Sequence, residues 1–241
     1  MAWYQDWFGE EYLELYSHRD DEEAQEHVDF VARVLAETRP RAVLDLACGA
    51  GRHTAALRRR GYRTLGVDLS LTLLARMAER GLPRVAGDMR RLPFAAASFD
   101  WVLNFFTSFG YFEGERENFL VLEEIARVLR PGGEFLIDLL NPPYALRTLT
   151  PHEVQETAAH RVEIERWYDA FHQRINKRIQ VLAPGAPARS FLESVRIYRQ
   201  EEVTIGLRWA GLEADQIFGN FAGEPYDRDS ERLILVGHKP A

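Results

Sequence analysis

Between Ala42 and Leu140 the sequence alternates short apolar runs with helix-patterned segments, and nothing else in the chain restricts its fold so strongly. The runs are "AVLDLA", "YRTLGVD", "RVAGD", "FDWVLNFF" and "EFLIDLL". Three amphipathic segments lie among them. "HTAALRRR" stops at Gly61, "LTLLARMAER" starts after Ser70 and stops at Gly81, and "RENFLVLEEIARVLR" is closed by Pro131-Gly132-Gly133. Short runs that are apolar throughout are buried on both faces, as strands of a parallel sheet are. Strand, helix, strand then implies right-handed crossovers and helices on both sides of the sheet.

The flanks extend this plan. "EEAQEHVDFVARVLAETRP" carries Ala24, Val28, Val31 and Leu35 at helical spacing, with Asp20 and Glu23 as a capping pair and Pro40 as the stop. After Pro142 the pattern changes. "HRVEIERWYDAF", "RINKRIQVL" and "SFLESVRIY" read as three strands, with "APGAPA" turning between the last two, and "RIQVL" is a candidate sheet edge. "EEVTIGLRWAG" returns to helix, and "LEADQIFGNF" and "RLILVGHK" to strand. The expected division is an N-terminal helical cap over 1–40, an α/β domain over 41–141 and 199–241, and an inserted antiparallel subdomain over 142–198.

The loop in "LDLACGAGRHT" is where chemistry enters. A glycine turn between a buried strand and a helix brings backbone N–H groups against a ligand. A phosphate-cradling P-loop needs GxxxxGK[ST], and this stretch has no lysine. The dinucleotide fingerprint needs a third glycine where Thr54 stands. Asp45, 4 residues before Gly49, would repel a pyrophosphate and suits an ammonium group. Asp68, 17 residues after Gly51, ends the second run and can accept from both hydroxyls of a ribose. Asp88 follows the third run and can accept from an exocyclic amine, with the Met89 backbone at the ring edge. An ammonium, a ribose diol and an adenine amine together describe S-adenosylmethionine.

The order "VLDLACGAG", "GVDLS", "GDMRRLPF", "FDWVLNFF", "RVLRPGGEFLIDLLN" resembles the class I S-adenosylmethionine-dependent methyltransferases of small-molecule type over about Ala42 to Asn141, with "GLEADQIF" and "LILVGHK" closing the fold. The resemblance implies an α/β, doubly wound, Rossmann-like sheet of seven strands with the last antiparallel, here with a small antiparallel sheet inserted. It further implies that Asp45, Gly49 and Gly51 hold the methionine end of the cofactor, Asp68 the ribose, and Asp88 and Met89 the adenine, with Ala47 and Leu69 also at the cofactor. It places Asn104 near the methyl group.

Around that methyl group the expected pocket residues are Phe106, Phe109 and Tyr111 from "NFFTSFGYF", Tyr4, Trp7 and Tyr12 from the N-terminus, and Asn141 and Tyr144 from "NPPY". Phe105 reads as core. The N-terminal aromatics Trp3, Tyr4, Trp7, Phe8, Tyr12 and Tyr16 fit a helix packed over the sheet edge. They equally fit a helix that closes over the cofactor, with rings that favour a sulfonium cation. "NPPY" matches the signature of methyltransferases acting on adenine or glutamine amines. In those it follows strand four; here it follows strand five, and a proline-stiffened strand exit is the plainer reading. No nucleophile and base pair can be named. Tyr111, Tyr144 and His172 are the candidate catalytic residues, with Glu224 and Tyr226 as further polar pocket candidates. Arg52 and His53 open the first helix and fit either the cofactor's carboxylate or a cap.

A net charge of -7 argues against non-specific binding to nucleic acid, and Arg58-Arg59-Arg60 reads as a solvated helix end. The one cysteine, Cys48, excludes an intrachain disulfide. The N-terminus has no basic segment followed by an apolar core, no run is long enough for a membrane, and no His, Cys and carboxylate cluster calls for a metal. The expectation is a cytoplasmic methyltransferase acting on an O or N atom of a small metabolite, with a homodimer through the inserted sheet. The rival readings are a tRNA or protein methyltransferase and a non-catalytic cofactor-binding protein.

Overall fold

The computed structural model describes residues 2–16, 21–35, 42–156, 160–183, 185 and 187–241. A seven-stranded sheet forms the centre. Its strands are β1 (Val43–Leu46), β2 (Thr64–Asp68), β3 (Arg84–Ala86), β4 (Phe99–Asn104), β5 (Leu129–Leu140), β10 (Glu213–Phe218) and β11 (Arg232–His238). The order across the sheet is β10-β11-β5-β4-β1-β2-β3. The pairs from β5 to β3 are parallel, and β11 runs antiparallel to both β5 and β10. The parallel part is the covered α/β sheet expected of the alternating pattern, and the seven-stranded Rossmann-like order with its last strand antiparallel is the one the family resemblance implies.

Each helix lies where its apolar stripe has sheet to cover. Helices α3 (Asp21–Val34) and α4 (Arg52–Arg59) enclose one core with Val43, Trp101, Leu103, Leu136 and Ile234. Helices α6 (Glu115–Val128) and α8 (Gln200–Trp209) enclose the other with Leu44, Val102, Phe135 and Leu235. Alternate residues of one strand thus serve opposite cores, which is why these strands are mostly apolar and show no apolar–polar alternation. Helix α5 (Leu71–Glu79) is capped by Ser70, whose hydroxyl accepts from the Leu73 N–H at 3.2 Å. Ala24, Val28, Val31 and Leu35 are all buried; Asp20 and Pro40 lie outside the described residues.

Four details differ from the sequence reading. Pro131-Gly132-Gly133 do not separate helix from strand: β5 begins at Leu129, and the three residues bulge out where the register jumps from Phe99↔Leu129 to Trp101↔Glu134. The N-terminal aromatics occupy two short helices, α1 (Trp3–Trp7) and α2 (Glu10–Leu15), because Gly9 is extended between them. The inserted sheet has four strands, β6 (His152–Glu156), β7 (Arg161–Asp169), β8 (Arg174–Leu182) and β9 (Arg189–Arg196), in sequential antiparallel order. "HEVQE" of β6 has Val154 as its one apolar residue and so carries no period-two signal. Finally, "RIQVL" belongs to β8, an interior strand, and the edges are β6 and β9.

The inserted sheet does not stand alone. Val162, Ile164, Ile179 and Val181 on its inner face form a third core with Trp7, flanked by Trp3, Phe8, Tyr12 and Tyr16. A buried aliphatic side chain stabilises by about 1.5–3 kcal/mol. The N-terminal helices therefore have an apolar reason to dock on this sheet. Among the described residues no helix is long and apolar enough to cross a membrane. Short helix α7 (Pro142–Arg147) opens the connection from β5 to the inserted sheet, with prolines in its first turn.

Candidate functional site

The strand order reverses between β1 and β4, and a crevice at the carboxyl ends of the strands is where such sheets bind ligands. A cavity of about 420 Å³ opens there. Its lining includes the loop after β1, the ends of β2 to β4, the N-terminal helices with β9, and Leu140 and Arg232 from β5 and β11.

The loop after β1 presents Ala47, Cys48, Gly49 and Ala50 to the cavity, followed by Arg52 and His53 of α4. Ala47, Gly49 and Gly51 all have left-handed backbone, with φ of 58°, 55° and 81°. Gly51 has a second reason to be glycine: a Cβ there would lie 2.7 Å from Met77 Cγ. Asp45 does not line the cavity. It is 1% exposed, beneath the loop, and accepts from the Thr54 hydroxyl at 2.6 Å. Burial pushes its carboxyl up to about 6, against the pull of the Thr54 bonds. The third-glycine position of a dinucleotide loop is thus taken by a residue that ties α4 to β1.

Asp68 lines the cavity from the end of β2. Its carboxylate accepts from the Gly49 N–H and from the Ser70 N–H, each at 2.8 Å. Burial raises its pKa, opposed by these backbone donors. No cation pairs with it among the described residues, which leaves an acid with acceptor capacity for ligand hydroxyls. Gly87, Asp88 and Met89 line the neighbouring wall with Leu69. Asp88 is held by the Arg90 guanidinium, with Nη2 at 2.6 Å and Nε at 3.1 Å. Burial would raise the Asp88 pKa, but the Arg90 bonds outweigh it and hold the carboxyl below its usual range.

At the end of β4, Asn104 is buried and its amide donates to the Leu46 carbonyl at 3.0 Å. It does not line the cavity; it clamps β4 to β1. Phe105, Phe106, Thr107 and Ser108 do line it. His53 stacks on Phe105 with centroids 4.1 Å apart, and its Nε2 lies 3.0 Å from Nδ1 of His27 on α3. Burial lowers both histidines, His27 to about 3, so the pair is neutral and shares one hydrogen-bond proton. Arg232 of β11 reaches the same wall.

The opposite wall is aromatic. Trp3, Tyr4, Phe8, Tyr12 and Tyr16 line it, and Trp3 packs edge-on against Tyr111 at 4.9 Å. The Ser70 hydroxyl donates to the Phe8 carbonyl at 2.6 Å, which fastens the break between α1 and α2 to the nucleoside side. Glu193 of β9 also lines the cavity. It accepts from the Trp7 indole N–H at 2.5 Å and the Tyr16 hydroxyl at 3.1 Å, with Lys177 Nζ at 3.8 Å.

The structure therefore gathers Tyr4, Ala47, Gly49, Asp68, Leu69, Asp88, Met89, Phe106, Tyr111 and Tyr12 into one cavity. Asp45, Gly51 and Asn104 stand just behind its wall. Trp7 and Phe109 are buried in cores. Asn141 is also buried: its amide donates to the Ser230, Asp227 and Arg228 carbonyls, and it accepts from the Tyr226 hydroxyl at 2.9 Å. Tyr144 lies on α7 under Arg147, and His172 sits exposed at a hairpin tip bonded to Asp169. None of these lines the cavity. Glu193 and Arg232 were not legible in advance. Glu193 reads as an outward polar residue of a strand, and Arg232 as a charged strand start.

The cavity chemistry fits an adenosine with an amino-acid tail. Asp68 is an acid without a cation, Asp88 borders the Met89 backbone, and a side-chain-poor loop admits close backbone approach. Among the described residues no group of three or more histidines, cysteines and acids could hold a metal.

Residues 43–133 match a family described as a methyltransferase domain. A cypemycin N-terminal methyltransferase from a Streptomyces species is 30% identical over 203 residues, covering 81% of this chain and 82% of that protein. The CcbJ methyltransferase of Streptomyces caelestis superposes with a TM-score of 0.82 at 22% identity, over 98% of both chains. The sugar N-methyltransferase KedS8 of a Streptoalloteichus species superposes with a TM-score of 0.72 at 26% identity, over 97% of this chain and 94% of that one.

Proposed function

The chain belongs to the S-adenosylmethionine-dependent methyltransferases, and we propose that it methylates a nitrogen atom, the amine of a small metabolite or of a short peptide's N-terminus. The observation that carries this reading is Glu193. It brings a carboxylate into the cofactor cavity from the inserted sheet, held by the Trp7 and Tyr16 donors with the Lys177 ammonium at 3.8 Å. An amine N–H is the complement of such an acceptor. Two similar proteins bear names that point the same way, the cypemycin N-terminal methyltransferase and the sugar N-methyltransferase.

The cofactor supplies a methyl group activated by its sulfonium. The chain does the rest by position. The Gly49 loop receives the methionine end, Asp68 the ribose hydroxyls, and Asp88 with Met89 the adenine edge. Asp45, through Thr54, and Asn104, through Leu46, keep that loop in place. The aromatic wall of α1 and α2 excludes water, which strengthens every polar interaction inside. Transfer to a neutral amine leaves a positive nitrogen with a proton to lose, and Glu193 would stabilise that charge as it forms.

The division into a helical cap (1–40), a cofactor domain (41–141 with 199–241) and an inserted sheet (142–198) fits these roles. The cap and insert supply the acceptor wall. Helix α1 packs on the inner face of the sheet at β9, and the edge strand β6 is a candidate for a two-fold partner. A cytoplasmic enzyme fits the reading, and light scattering tests the dimer.

Labelled cofactor supplied to a metabolite extract tests the function. Label should enter compounds that carry an amine, and prior acylation of the extract's amines should abolish it. Label in RNA, in protein or in amine-free compounds overturns the reading, and no S-adenosylhomocysteine at all would identify a binding protein. Glu193→Gln should cut turnover about tenfold or more, equal to the roughly 1.4 kcal/mol of one charged hydrogen bond. Its affinity for S-adenosylhomocysteine should stay within about twofold.

A further inference from the structure

Phe106 and Thr107, directly after β4, both have left-handed backbone, with φ of 60° and 56°. Neither is glycine, and Thr107 is β-branched, so the conformation is unfavourable unless the surroundings impose it. Both residues line the cavity. What imposes the conformation comes from two other strands. Asp138 of β5 is 0% exposed, and its Oδ2 accepts from the Phe106 N–H at 2.8 Å while its carbonyl accepts from the Thr107 N–H at 3.0 Å. Arg232 of β11 completes the clamp. Its Nε donates to Asp138 Oδ1 at 2.7 Å and its Nη2 to the Thr107 hydroxyl at 2.8 Å.

The reversed strand makes this possible. In a parallel strand the last residues reach the ligand edge; in β11, antiparallel to β5, the first residue does, and Arg232 pairs with Leu140 at the end of β5. A guanidinium is the group that the geometry requires, because its planar fork can hold a carboxylate and a hydroxyl at once. The Phe106 ring meets the guanidinium of Arg52 at 4.2 Å and that of Arg232 at 5.9 Å, so the clamp also fixes the ring's place in the wall.

We infer that Arg232 is a positioning residue: through Asp138 and Thr107 it holds the segment after β4 in the left-handed form that shapes the cofactor cavity. The inference does not depend on the identity of the methyl acceptor, because S-adenosylhomocysteine serves as the probe.

Arg232→Lys keeps the charge beside buried Asp138 and loses the fork. Amide hydrogen exchange at Phe106 and Thr107 should become about tenfold faster, with exchange in β1 and β5 unchanged. S-adenosylhomocysteine affinity by calorimetry should fall about tenfold. Adding Thr107→Gly should bring affinity back to within about threefold of the parent, because glycine adopts this φ without cost. A merely structural role for Arg232 gives no such rescue. Should Arg232→Lys not fold, Thr107→Val carries the test, with the same two changes at about threefold. A folded variant with unchanged exchange at these two amides, or with changed exchange and unchanged affinity, overturns the inference.

Discussion

The two walls of the cavity are built on different principles. On the sheet side, the two acids around the glycine loop are satisfied by nearby backbone and by a hydroxyl, Asp68 by Gly49 and Ser70 and Asp45 by Thr54, while arginines hold Asp88 and Asp138. On the other side, Glu193 is satisfied by long side chains from distant parts of the chain, Trp7 and Tyr16, with Lys177 bonded to the same Tyr16 hydroxyl. Backbone donors are fixed by the fold itself, so the first wall is preorganised for one ligand. Side-chain donors can be exchanged one residue at a time, so the second wall can change specificity without disturbing the first. The proposed function, with a fixed cofactor and a variable acceptor, calls for this arrangement.

Breaking the sheet wall should cost most where backbone geometry is at stake. Gly51→Ala forces alanine to a φ of 81° with its Cβ 2.7 Å from Met77. Left-handed strain and overpacking together should destabilise by about 3–4 kcal/mol in chemical denaturation. A loss within experimental error would mean the loop relaxes and is not preorganised.

Next comes the buried acid. The Asp45 carboxyl stands at about 6 in the folded chain, above the usual value near 3.9 that it has unfolded. The folded state therefore binds this proton more tightly. Its contribution is most favourable below about pH 4 and is lost as pH rises to 6, by about 3 kcal/mol in all. Stability curves of the parent and Asp45→Asn, measured from pH 4 to 7, should diverge by that amount, the variant lacking the decline. Parallel curves would place Asp45 in a solvated setting.

Asp68→Ala removes the acceptor proposed for the ribose and leaves the Gly49 N–H unpaired. S-adenosylhomocysteine affinity should weaken about a hundredfold, close to 2.7 kcal/mol. Unchanged affinity would show that Asp68 serves only the loop. On the aromatic wall, Tyr16→Phe removes one hydroxyl that joins Glu193 and Lys177. It should cost about 1 kcal/mol of stability and leave S-adenosylhomocysteine affinity within about twofold. A large loss of cofactor affinity would erase the contrast between the walls, because the helical cap would then belong to the cofactor site.

The acids of the sheet wall were legible because each follows an apolar run, and chain order alone carries a strand end to the ligand edge. What Asp45 touches was not legible. Its position suggested a group facing the ligand, and only folding reveals that Thr54, one turn into α4, is close enough to take its carboxylate. "NPPY" had the look of a site motif, yet Asn141 spends its amide on the loop before β11. Strand β6 was invisible because an edge strand with a single apolar residue has no hydrophobic period to detect.

The sequence by itself determined the parallel sheet, the glycine loop and the family, since all three rest on local patterns: burial on both faces, turn chemistry, and the spacing of acids after strands. The tertiary structure decided the wall made by the N-terminal helices with the inserted sheet, and the clamp on the segment after β4. Glu193 meets Trp7 across 186 positions of chain, and Arg232 meets Thr107 across 125. Such partners are brought together by the docking of the N-terminal helices on the inserted sheet and by the reversal of β11. No window of sequence contains both members of either pair.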